Sequence, residues 1–166
     1  MASYMPYHKS NADEILPGLW LGNRVAAHDP EFLRTKRIGA VFNATKDIPF
    51  HSGVNRRYRI PVDDNLKEEE IRNMELWSYE IVYKLRMEMK RAEAEGTGVL
   101  VHCAAGMQRS AAIVAMYLIA LEHKKAEDAI RFIQDRRPIA FRPAVNFDRS
   151  IRGFEDSLQT RLRGPV

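Results

Sequence analysis

Cys103 ends the β-branched run "VLVH" (99–102), precedes three small residues, and is separated by five positions from an Arg-Ser pair, Arg109 and Ser110. Small residues at Ala104, Ala105 and Gly106 let the backbone curl after a strand until its N–H groups converge. Amides converging at a helix N-terminus form an anion site that the helix dipole reinforces, and a phosphate suits it. Residues 104–109, with Met107 and Gln108 completing the curve, are the expected binding segment. Arg109 closes it with a planar fork that matches two phosphate oxygens, a geometry a lysine cannot copy. The same positive surroundings hold a thiol ionised: near helix N-termini and cations, cysteine pKa values fall from about 8.5 to roughly 3.5–7.5. Cys103 is therefore the candidate nucleophile toward phosphorus, and Ser110 the donor that eases sulfur's later departure. A lone cysteine ending a buried strand is more often a small core residue. That alternative accounts for neither His102, nor Gly106 three positions on, nor the Arg-Ser pair heading an apolar helix.

Phosphoester cleavage also needs a proton for the leaving oxygen and then a base for the water that follows, and one carboxylate can serve both steps. "PVDDN" (61–65) offers Asp63 and Asp64 just after a strand, with helix capping as the other employment of either. Arg56, Arg57 and Arg59 are further cations, equally readable as steering groups for a phosphopeptide and as a solvated edge strand, whereas Arg142 reads first as an ordinary surface arginine and second as a site for another phosphate.

The rest of the composition narrows the class. The chain has 166 residues, with 26 Lys and Arg against 22 Asp and Glu, a formal charge of +4, and a pI of 9.3. The surplus is scattered rather than blocked, so an anionic substrate or partner is expected and a nucleic acid is not. One cysteine builds neither a disulfide nor a Cys-rich zinc site, and the five histidines show no ligand spacing, so neither metal nor cofactor is expected. The N-terminus lacks an apolar signal core, position 2 is Ala, and "RLRGPV" is no lipidation signal. The expectation is a soluble protein of a reducing compartment, cytoplasmic with nucleus or virion left open, and no membrane partner.

These groups need elements to position them. Residues 1–13 read as a flexible arm, 14–160 as the catalytic unit and 161–166 as a tail. "EILPGLWLGN" (14–23) reads as two strands broken at Pro17-Gly18, and 29–38 as a short helix with Asp29 as N-cap and Pro30 at its first position. Strands are expected at 39–45, 56–62 and 98–102. One long amphipathic helix, or two joined ones, over 67–95 ends at Gly96, with further helices over 110–123 and 126–137 and a last one opened by Pro143. Strands alternating with helices imply an α/β single domain: a central, mainly parallel twisted sheet of about five strands flanked by helices.

"HCAAGMQRS" matches H-C-x5-R-S, and with it the chain resembles the cysteine-dependent protein phosphatases, in particular the compact dual-specificity branch that includes the vaccinia-type viral members. The likeness extends through "ILPGLWLGN", "VFNAT", "YRIPVDDN", "VLVHC", "AMYLI" and "RPAVNF", covering residues 14–158. It implies a protein tyrosine phosphatase-like fold and a phosphorylated protein substrate. It further implies hydrolysis of phosphotyrosine and phosphoserine or phosphothreonine through a cysteinyl phosphate, without metal or cofactor. In relatives the acid lies three residues after the proline, which favours Asp64 over Asp63. The resemblance gives His102 a part in holding the loop and Asn146 a backbone-bracing role. Two features depart from the family: a long interval between Asp64 and Cys103, which implies an extension of the long helix, and Gln108 where many relatives have Ser and the vaccinia-type ones Asn, a side chain that either alters the pocket rim or is solvated. Phosphoinositide-directed relatives carry loop lysines and RNA 5′-triphosphate-directed ones a Thr after the arginine, whereas this chain has Ala104, Ala105, Met107, Gln108 and Ser110. A binding module without turnover is a further alternative, although inactive relatives usually lose the cysteine or arginine kept here. Viral relatives include dimers, so the expected state is a monomer or a homodimer through the 1–13 arm.

Overall fold

The structure is a computed structural model in which residues 10–162 are described. The chain enters through a hairpin, β1 (Ala12–Leu16) and β2 (Leu19–Gly22), paired antiparallel. Its turn is made by Pro17 and by Gly18 at φ 82, a left-handed conformation that glycine adopts without a Cβ penalty. Two short helices follow, α1 (Arg24–Ala27) and α2 (Pro30–Thr35). Their N-caps, Asn23 and Asp29, each accept from two otherwise orphaned amides, and Pro30 takes the first position of α2, as expected. α1 is an addition to the sequence expectation, because four residues carry no readable period. Then come β3 (Ile38–Asn43), β4 (Arg56–Arg59), the long α3 (Glu68–Glu95), β5 (Gly98–His102), α4 (Arg109–Leu121), α5 (Ala126–Arg136) and α6 (Asp148–Leu162).

The five strands form one sheet in the order β1-β2-β5-β3-β4, and every pairing except β1 with β2 is parallel. All five residues of the central β5 are buried. Side chains alternate along a strand, so Val99 and Val101 join Leu19, Leu21 and Phe42 in the larger core with helices α3 to α6, while Leu100 joins Val41, Leu33 and Ala27 in a smaller one. Each such burial contributes roughly 1.5–3 kcal/mol, and it pins β5 from both faces. α4 is apolar nearly all round and buried from Ser110 to Ile119, the mark of a central helix. The C-terminal end of β5 and the N-terminal end of α4 are thus two fixed points.

Several boundaries differ from expectation. β4 ends at Arg59; Ile60 N still donates to Asn43 O of β3 at 2.9 Å, and Val62 N turns back onto Ile60 O at 2.9 Å on the way to the Asp63-Asp64 pair. The last helix starts at Asp148 rather than at Pro143, since residues 142–147 form a loop with a cis Arg142–Pro143 bond. Strand β1 begins at Ala12, inside the stretch expected to be an arm, and residues 1–9 lie outside the described residues. α6 runs through Leu162 into the expected tail, of which 163–166 lie outside them as well. No described helix is long and apolar enough to cross a membrane.

Candidate active site

β5 delivers Cys103 to the carboxyl edge of the sheet, where α/β proteins bind their ligands, and residues 103–108 curve from there onto the first turn of α4. The carbonyls of the curve are tied to groups outside it. Ala104 O accepts the Arg24 amide at 3.1 Å, and Met107 O accepts the Phe141 amide at 2.8 Å. Ala105 O and Gly106 O accept Arg137 Nη2 and Nε at 3.3 and 2.8 Å. A trans peptide points its N–H opposite to its C=O, so the amides of 105–108 turn to the inner side of the curve.

The Cys103 thiol is buried, with Sγ 3.1 Å from Ser110 Oγ. Burial, the largest single influence, pushes the thiol up. Hydrogen bonds from the Ser110 hydroxyl and amide, the Arg109 charge and the Gly106 amide together outweigh it and bring the thiol below its ordinary value. His102 is fully buried, its Nδ1 3.2 Å from Cys103 O. A carbonyl only accepts, so Nδ1 carries the hydrogen. Burial lowers the His102 pKa to about 4, which keeps the ring neutral at ordinary pH.

Arg109 Nη1 donates to Val62 O at 3.1 Å, tethering the guanidinium to the segment that bears the acid candidates. Its Nε is buried and meets no acceptor among the described residues. A pocket of about 210 Å³ gathers Cys103, Arg109, Asp64, Asn146, Gln108 and Arg142.

The two aspartates are separated by their surroundings. Asp63 does not line that pocket; its carboxylate pairs with Lys46 Nζ at 3.1 Å, and its amide donates to the buried Glu70. Asp64 lines the pocket and accepts from Asn146 Nδ2 at 2.9 Å. Asn146 thus does more than brace backbone. Gln108 is only 6 % exposed and is no solvated side chain. Its Nε2 donates to Arg142 O and Ala144 O at 3.2 and 2.7 Å, and its Oε1 accepts the Asn146 amide at 3.0 Å. One loop side chain therefore clamps the segment that holds Asp64.

The β4 arginines are used internally: Arg56 pairs with Glu88 at 2.7 Å, Arg57 Nε donates to Val54 O at 2.7 Å, and Arg59 donates to Thr45 O and Ile48 O, both at 2.9 Å. None of them lines the pocket, whereas Arg142 does. Sequence reasoning missed Arg137 and Glu70, both buried and both bonded to site segments. The one available signal for Arg137 was its place just before helix-stopping Pro138. Among the described residues no group of three or more His, Cys, Asp or Glu is placed to hold a metal ion.

A parallel-centred α/β sheet presenting a buried thiol, held below its ordinary pKa, inside an amide-lined loop defines the class of cysteine-dependent phosphatases. The chain belongs to the family described as "Dual specificity phosphatase, catalytic domain", whose model matches residues 19–157. It is 31% identical over 157 residues to mouse dual specificity protein phosphatase 8, covering 93% of this chain and 22% of that protein. With chicken dual specificity protein phosphatase 4 it shares 35% identity over 147 residues, 87% of this chain and 36% of that one. The chain therefore spans about a fifth to a third of the length of these relatives. The solved structure of human DUSP28 is similar to it with a TM-score of 0.72 and 26% identity, over 95% of this chain and 99% of that one.

Proposed function

We propose that the chain is a protein phosphatase that hydrolyses phosphotyrosine and phosphoserine or phosphothreonine through a cysteinyl-phosphate intermediate. The observation that carries this reading is the convergence of the Cys103 thiol, the Arg109 guanidinium and the Asp64 carboxyl in one pocket. The Cys103 thiolate attacks phosphorus as the bond to the substrate oxygen breaks, and protonated Asp64 gives that oxygen its proton. Arg109 and the amides of residues 105–108 hold the phosphoryl oxygens, whose charge grows in the transition state. Asp64, now a carboxylate, takes a proton from water attacking the phosphocysteine. Sulfur then leaves as a thiolate that accepts the Ser110 O–H, and inorganic phosphate is released. His102 and Asn146 hold the loop and the acid in place.

The same reading assigns residues 14–160 to the catalytic unit, places the chain in the compact, vaccinia-type branch, and makes phosphorylated proteins its partners in a reducing compartment. A homodimer through the N-terminal arm rests chiefly on residues 1–9, which lie outside the described ones. The loop positions Ala104, Ala105, Met107 and Gln108 carry none of the lysines of phosphoinositide-directed relatives, which disfavours phosphoinositides on the resemblance, although Arg142 lines the same pocket. Ser110 disfavours RNA 5′-triphosphates on the resemblance alone.

The test compares wild type with Cys103→Ser on an aryl phosphate, phosphopeptides, phosphoinositides and triphosphorylated RNA. The expected result is hydrolysis of the aryl phosphate and phosphopeptides by wild type, with the variant binding phosphopeptide but turning over nothing. Activity retained by Cys103→Ser would overturn the mechanism, and a wild-type preference for lipid or RNA would overturn the substrate class.

A further inference from the structure

Arg137, the residue just beyond α5, is a fully buried arginine outside the catalytic pocket. Its guanidinium has four partners. Nε and Nη2 donate to Gly106 O and Ala105 O at 2.8 and 3.3 Å; Nη1 donates to Ser10 O at 3.0 Å and to Asp13 Oδ2 at 2.7 Å. Two are consecutive carbonyls of the phosphate loop and two belong to the chain entering and beginning β1. A buried charge carries a desolvation cost that the Asp13 pair and three carbonyls offset. A single ammonium could hold the ion pair but could not also reach two adjacent carbonyls in the plane of a fork.

The two loop bonds have a directional consequence. The peptide unit whose carbonyl is Ala105 O carries the Gly106 N–H on its other side, and the unit whose carbonyl is Gly106 O carries the Met107 N–H. Holding both carbonyls on Arg137 aims both amides away from it, and the Gly106 amide is one of the donors to the Cys103 sulfur. Gly106 itself sits at φ 68, where a peptide flip meets little local resistance, so the outer bonds decide which way it faces.

We propose that Arg137 is a positioning residue of the phosphate loop: through Ala105 O and Gly106 O it aims the Gly106 and Met107 amides at Cys103 and the phosphoryl group, and through Asp13 and Ser10 it ties that orientation to the N-terminal strand. The inference rests on the phosphoryl-binding role proposed above. It differs from a purely structural role in what it predicts, since amide orientation controls thiolate stability and oxyanion affinity rather than folding alone.

The deciding variant is Arg137→Lys, which keeps a cation for Asp13 while giving up the fork over the loop. Three measurements on the full chain read it: thermal unfolding, the pH midpoint of Cys103 alkylation by iodoacetamide, and competitive inhibition of aryl phosphate hydrolysis by inorganic phosphate. The expected variant is folded, its alkylation midpoint moves upward, and phosphate inhibition weakens about tenfold, the size of one lost charge-directed hydrogen bond. Asp13→Asn, which leaves the guanidinium in place with a weaker anchor, shifts both readouts in the same direction by less. If Arg137→Lys fails to fold, Asp13→Asn decides alone, an upward midpoint supporting the proposal and an unchanged one overturning it. A folded Arg137→Lys with wild-type midpoint and wild-type phosphate inhibition overturns the inference while leaving the phosphatase reading intact. A wild-type chain that neither hydrolyses the aryl phosphate nor binds phosphate overturns both.

Discussion

Asn146 Nδ2 donates to Asp64 Oδ1 at 2.9 Å, joining the loop before α6 to the segment after β4 across the mouth of the pocket. The bond fixes one carboxylate oxygen of Asp64, and the Asn146 backbone is itself held by Gln108 Oε1 at 3.0 Å. Asp64 is therefore aimed by a relay that starts in the phosphate loop.

Breaking the relay should hurt the step that needs the acid. Asn146→Ala is expected to lower kcat on alkyl phosphates, whose leaving oxygens demand a proton, by about tenfold, part of the 10²–10⁴ that general acid catalysis supplies. A nitrophenyl ester, with a leaving group stable as an anion, should change far less. Gln108→Leu should act in the same sense and also cost about 2 kcal/mol of stability, because it strips partners from two carbonyls and an amide. Leaving-group dependence measured across a phenol and alkanol series checks both. Equal losses on all esters would disconnect Asn146 from the acid.

Ser110→Ala removes the hydroxyl 3.1 Å from the Cys103 sulfur. That hydroxyl lowers the thiol, so its loss moves the acidic limb of the kcat/KM profile toward higher pH. It also slows departure of sulfur from phosphorus, by about tenfold for one hydrogen bond to an anion. The phosphoenzyme should then accumulate, visible as a burst of nitrophenol before the steady state. A variant with an unmoved acidic limb and no burst would remove Ser110 from the mechanism.

His102 should make the fold acid-sensitive. Its pKa is about 4 in the folded chain and about 6.5 when unfolded, so the neutral form is the one the fold favours. The unfolded state takes up a proton first as pH falls, and stability is lost between about pH 6.5 and 4, then levels off once the folded ring protonates too. The full swing is about 3 kcal/mol at ~1.4 kcal/mol per pKa unit. Urea unfolding of wild type and His102→Asn between pH 7 and pH 4.5 measures it, and the variant should lack most of this component. Equal slopes in the two proteins would show that His102 is not the group responsible.

Much of this site was legible because its chemistry is local. Cys103, Arg109 and Ser110 lie within eight residues, so strand, loop and helix signals place them together before any tertiary contact is known. Asp64 required a long-range step: the resemblance favoured it, and in the structure the pocket lining, the Lys46 pair on Asp63 and the Asn146 bond on Asp64 separate the neighbouring carboxylates. Arg137 and Glu70 were beyond reach of pattern reading: a charged residue in a helical stretch reads as solvated, and what makes these two different is burial against backbone from distant parts of the chain. For the same reason sequence alone left Gln108 between the pocket rim and solvent, whereas it is buried and bonded to residues 142, 144 and 146. The start of α6 was misplaced because Pro143 suits a first helical turn, while tertiary bonds to Gln108 instead hold residues 142–146 as a loop.

Two glycines put the mechanical side of the site to a paired test. An added Cβ at Gly106 would stand 2.5 Å from Gly22 O and 2.8 Å from Arg137 Nη2. Neither neighbour can yield: Gly22 is paired with His102 in the sheet, and Arg137 is fully buried on four acceptors. The left-handed φ of 68 adds about 1 kcal/mol of strain for any residue with a side chain. Gly106→Ala should therefore displace the loop, and because the displaced amides are those facing the thiolate, phosphate inhibition and kcat should fall together. At Gly153 in α6 the nearest atoms an added Cβ would meet are those of the carboxyl end of the exposed Glu75 side chain, which can swing away. There the helix interior gains from alanine, by about 0.5–1 kcal/mol. Gly153→Ala should keep full activity and unfold at a slightly higher temperature. A Gly106→Ala protein as active as Gly153→Ala would mean that the loop does not depend on its close approach to β2.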